Sequence, residues 1–102
     1  MDQIRQGDVL LIEVSQIPKT ATDREKGCVL AYGESTGHSH QVKNGGEIVV
    51  DVNDLGRRYL KVLNKTSLDH EEHYWALLHR GKKFQIRIQK EYTPAVIRNV
   101  VD

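Results

Sequence analysis

Cysteine, proline and large aromatics are all scarce here: the 102 residues include one cysteine, two prolines, one tryptophan and one phenylalanine. With Cys28 alone, no internal disulfide can form, and the reducing cytoplasm is the expected compartment. An excess of one charge is missing too, since 15 basic residues face 14 acidic ones for a formal net charge of +1. That balance disfavours nucleic acid as a partner, because a basic face supplies most of the energy of such binding. Arg57-Arg58 and Arg80-Gly81-Lys82-Lys83 therefore read as solvated turns. No long hydrophobic run occurs either. The stretch Val9-Leu10-Leu11-Ile12 is too short for a membrane span or a signal core, and Asp2 and Asp8 spoil the basic leader a signal needs.

What remains is the composition of one folded domain, 38% hydrophobic and 28% charged. A disordered chain would have fewer apolar residues or a larger net charge. A chain of this length buries roughly two-thirds of its unfolded surface and needs no staples. The expectation is a single β-rich domain over residues 1–102. Pro94 ends the last element and 93–102 form a C-terminal tail with a small apolar set, Val96, Ile97, Val100 and Val101.

The elements read as strands. Gly7-Asp8 is a turn signal before the β-branched run Val9 to Val14. Pro18 to Gly27 is polar and reads as an exposed loop, after which Cys28 to Tyr32 restarts a strand. Asn44-Gly45 lies between His38–Val42 and Glu47–Val52, a strong hairpin signal because the mirror-image turn needs positive φ. Asn53 to Gly56 is a further turn before the strand Tyr59 to Leu63. The clearest strand is Phe84 to Gln89, where Phe84, Ile86 and Ile88 alternate with Gln85, Arg87 and Gln89. Leu68 to His79 carries two readings. Asp69 with Glu72 fits the capping box of a short helix near 69–79. The favoured alternative is a loop through the histidines and a strand over Trp75 to Leu78, leading through Arg80 to Lys83 into the last strand. The expected class is mainly β, a small antiparallel sandwich or barrel built from hairpins.

Chemistry concentrates in the histidines. Four of five fall into two clusters, Gly37-His38-Ser39-His40 and His70-Glu71-Glu72-His73. Alternate strand residues share a face, so a His-X-His pair presents two imidazoles to one metal. His70 and His73 are close enough in sequence to share a ligand, and Glu71 or Glu72 is the candidate oxygen ligand or general base on a metal-bound water. Histidines at strand edges also serve as ordinary hydrogen-bonding groups, and only a meeting of the two clusters in space separates the readings. The candidate ligands are His38, His40, His70 and His73. The set suits a divalent transition metal, zinc first, with iron, nickel, copper and manganese compatible.

Other sites fare worse. Cys28 sits in an apolar run and reads as a buried thiol. The serines lack a nucleophile-elbow context, and Gly45-Gly46 is better used by the turn than by a phosphate loop. Tyr74 and Trp75, beside Leu77 and Leu78, read as core. The cupins share a His-X-His of this kind, but the later Pro-X-Gly and histidine of that family are absent.

Thr36-Gly37-His38-Ser39-His40, His70-Glu71-Glu72-His73 and Ile88-Gln89-Lys90-Glu91-Tyr92, in this order, resemble a group of short bacterial and phage-type hypothetical proteins. The resemblance covers most of the chain after Gly7. It carries no activity or catalytic residue, and implies only that the two histidine clusters belong together.

Two functions follow as expectations. One is a small β domain with a divalent-metal site, structural if all positions are filled and open to metal-assisted chemistry if one is left to water. The other is a metal-free interaction module, acting with a protein partner or a second copy through a strand edge or the C-terminal tail. A nucleic-acid binder using Arg57, Arg58, Lys82 and Lys83 ranks third.

Overall fold

The computed structural model describes residues 2–27, 29–32, 39–70 and 73–89. Cys28, His38, Glu71, Glu72 and the tail 93–102 lie outside the described residues, as do the side chains of Tyr32 and His73. Ten strands and no helix appear among the described residues. They form two antiparallel sheets stacked as a sandwich, one of six strands and one of four.

The chain lays down hairpins in alternate sheets. β1 (Gln3–Gln6) and β2 (Val9–Glu13) pair in the larger sheet, and β4 (Val29–Tyr32) and β5 (Ser39–Val42) in the smaller. β6 (Gly46–Asp51) and β7 (Arg57–Val62) return to the larger sheet, and β8 (Thr66–His70) and β9 (His73–Leu78) to the smaller. β10 (Lys83–Ile88) then inserts between β2 and β7, and the short β3 (Asp23–Arg24) borders β6.

The period-2 rule is clearest in β8 and in β10 up to Ile86, where alternate side chains turn to the core. Val9 and Leu11, Ile48, Leu60 and Val62, and Phe84 and Ile86 face Leu30, Val42, Leu68 and Leu78 of the other sheet. A smaller cluster lies on the opposite side of the larger sheet. There Ala21, with Val14 and Ile17 packed alongside, covers Val49 and Tyr59.

Several local expectations change. The helix over 69–79 is absent: Thr66, Leu68 and His70 are buried while Ser67 and Asp69 are partly exposed, an alternation only a strand provides. The histidine segment up to His70 is therefore strand, not loop. Part of the expected 18–27 loop pairs as β3. Asn44-Gly45 is a turn, but it joins no hairpin, because β5 pairs with β4 and β8 while β6 pairs with β3 and β7. It carries the chain from one sheet to the other. Lys43 N donates to Ser67 O on one side of the crossing, and Leu63 N donates to Gly45 O on the other. Gly46 permits the close approach, since a Cβ there would stand 2.8 Å from Val42 Cγ1. The turn after β9 likewise changes sheets and makes no hairpin with β10.

Tyr74 and Trp75 are not core. They are 97% and 65% exposed, because β9 is the edge of its sheet and carries an extra residue opposite β8 between Leu68 and His70.

Candidate metal centre

One histidine of each cluster, His40 and His70, meets the other. β5 and β8 pair with Gln41 opposite Asp69, and one step further along that register stand His40 and His70. Their imidazole rings lie 4.2 Å apart, centre to centre, tilted by 31°. Both residues are buried, His40 completely. Across the next strand pair, His73 is the direct partner of His70. One row across three strands therefore holds His40, His70 and His73. His38, Glu71 and Glu72 lie outside the described residues.

Two further residues come from the other sheet. Gln6 ends β1 and Asp8 sits in the two-residue turn to β2. The first position of this turn needs positive φ, which Gly7 supplies at 58°. The turn brings both side chains against the histidines, where Gln6 and Asp8 are buried. Gln6 Nε2 donates to Leu68 O and to Tyr74 O, each at 2.9 Å. Both amide hydrogens are thus used, so Gln6 Oε1 accepts, and its 2.9 Å partner His40 Nδ1 carries the proton. That bond fixes the ring with Nε2 pointing the other way, 3.3 Å from Asp8 Oδ1. A metal-binding histidine is oriented in this manner, with one ring N–H given to a neighbouring acceptor and the other nitrogen directed at the ion.

Asp8, His40 and His70 are a partial set. No three His, Cys, Asp or Glu side chains among the described residues are gathered around one point closely enough to hold a metal. The row is not sealed from solvent: His70 lines a groove of about 670 Å³ with Gln41, Asp69, Trp75 and Leu77. Neither Gln6 nor Asp8 was legible as a site residue. Gly7-Asp8 signals only a turn, and nothing local to Gln6 marks it as buried.

The basic residues of the third expectation are mostly engaged. Arg58 makes two bonds to Glu25 and donates to Val29 O and Leu30 O, tying β7 to β4. Arg57 pairs with Asp54, and Lys82 with Glu13. The Asp2 backbone N–H and the Lys82 ammonium hold the Glu13 carboxyl below its usual range.

A family model described as a domain of unknown function (DUF8820) matches residues 5–89. The chain belongs to that family. The matched segment takes in Gln6, Asp8, His40, His70 and His73. No curated protein and no solved structure matches the chain.

Proposed function

We propose that this DUF8820 domain is a small β-sandwich that holds a divalent transition metal, zinc first, beside its histidine row. His40 and His70 are ligands in this reading, His38 and His73 complete the set, and Glu71 or Glu72 supports it as oxygen ligand or general base. One observation carries the reading: imidazoles 30 positions apart in sequence are buried with ring centres 4.2 Å apart. Two ligands of one ion, each about 2 Å from it through nitrogen, must be near neighbours, as these two rings are. Further support comes from Gln6, which orients His40 through Nδ1, and from Asp8, whose carboxylate faces the opposite ring nitrogen, Nε2. With a position left to water, a metal here would serve hydrolytic or related chemistry; with every position filled, it would hold the fold.

The test is calorimetric titration of tag-free, chelator-stripped protein with zinc chloride. The expected result is one ion per chain, with affinity lost in His40→Ala and reduced in His70→Ala. Equal affinity in parent and both variants would remove the proposal.

A second reading is favoured by the exposed Tyr74, Trp75 and Leu77 on edge strand β9. In it the domain works without metal, against a protein partner or a second copy, by pairing along that edge. Sedimentation of parent and Trp75→Ala separates a self-associating edge from a monomer.

A further inference from the structure

The outer face of the six-stranded sheet, on the side away from the histidines, breaks a rule of sheet design. Lys61 of β7 and Lys83 of β10 are direct partners across the strands. Like charges in this position are destabilising, because their side chains rise from backbones about 5 Å apart. Neither lysine has an ion pair among the described residues, whereas Glu47, the other cross-strand neighbour of Lys61, is paired with Arg24 at 3.3 Å. The two lysines are also not on open surface, both being half-buried. They line a groove of about 420 Å³ between the sheet and the 16–22 segment, which Lys19 and Arg24 border as well. Four cations and one carboxylate leave a local excess of three positive charges on a chain whose formal net charge is +1.

The remaining walls are of a different kind. Ile17, Pro18 and Val49 form an apolar side, and the chain entering the segment is held to β10 by Val14 N donating to Lys83 O at 2.9 Å. A concave site with an apolar wall, a few converging charges and a volume of several hundred Å³ suits a small molecule better than a flat polymer surface. Charge repulsion retained on a rigid sheet is expected where a ligand offsets it.

We propose that this groove binds the phosphate group of a small phosphorylated molecule, with Lys61 and Lys83 on the phosphate and the apolar wall against the organic part. Lysine serves well as a point-charge partner for phosphate. The site is separate from the histidine row and stands or falls independently of it.

Phenyl phosphate is the probe, titrated into the full chain in phosphate-free buffer and followed by amide chemical shifts. The expected result is saturable one-to-one binding that moves the 16–22, Lys61 and Lys83 signals and weakens with added salt. Lys61→Gln/Lys83→Gln is expected to weaken it about 100-fold, near tenfold for each lysine–phosphate bond removed. Lys61→Arg keeps the charge and retains binding. The double variant is expected to melt no lower than the parent, since removing the lysine pair relieves repulsion. Absence of saturable shifts, shifts confined to other surfaces, binding indifferent to the double variant, or tighter binding of a single-stranded oligonucleotide would each overturn the proposal.

Discussion

Gln6 shows how much one side chain does in this molecule. Its amide joins the edge of one sheet to the backbones of β8 and β9 and at the same time fixes the tautomer of His40. Gln6→Leu keeps the volume and removes every one of these bonds, leaving two carbonyls without their donor. Each such loss costs about 1–3 kcal/mol, so a net loss of about 3 kcal/mol is expected in urea denaturation. Under the proposed function the same variant, where still folded, binds zinc about 10–100-fold more weakly, the usual effect of losing a residue that orients a ligand. Loss of stability with unchanged zinc affinity would make Gln6 a purely structural bolt. At this scale the sequence was informative for the histidines, whose pairing is a matter of clustering and alternation. It was silent on Gln6 and Asp8, because both reach the site through an approach of the two sheets that leaves no local pattern.

Strands were legible where apolar residues alternate, as in Phe84 and Ile86 of β10, both buried as expected. Strand partners were less so. Asn44-Gly45 has the chemistry of a hairpin turn, yet the chain uses it to change sheets, and the deciding feature is the missing side chain at Gly46. An added methyl there meets Val42 Cγ1 at 2.8 Å and Leu60 Cδ1 at 3.1 Å. Gly46→Ala is therefore expected to cost about 1–3 kcal/mol, as overpacking in a dense core does. The cost should shrink when Val42→Ala is added, since the two changes share one space. Full additivity of the two, measured by chemical denaturation, would show that the crossing does not depend on this close approach. Tyr74 and Trp75 differ for a related reason: aromatic character favours burial, but a bulged position on an edge strand overrides that preference.

For the molecule as a whole, the alternating hairpins explain why sequence-distant clusters converge. Placing β4, β5, β8 and β9 in one sheet sets β5 beside β8, and the strand register then puts His40 beside His70. The β1–β2 turn of the other sheet closes over them with Gln6 and Asp8. Mainly β class, one compact sandwich and a meeting of His40 with His70 all descend from the same strand order; the first was readable without it, and the second as a sandwich or barrel. The proposed function stands on these imidazoles sharing an ion. Zinc-edge X-ray absorption of protein loaded with one equivalent of zinc and desalted tests that directly. The predicted result is retained zinc with at least two imidazole nitrogens at about 2.0–2.1 Å, and an imidazole signal that falls in His40→Ala/His70→Ala. Zinc lost on desalting, or an oxygen-only shell with no imidazole scattering, would contradict it.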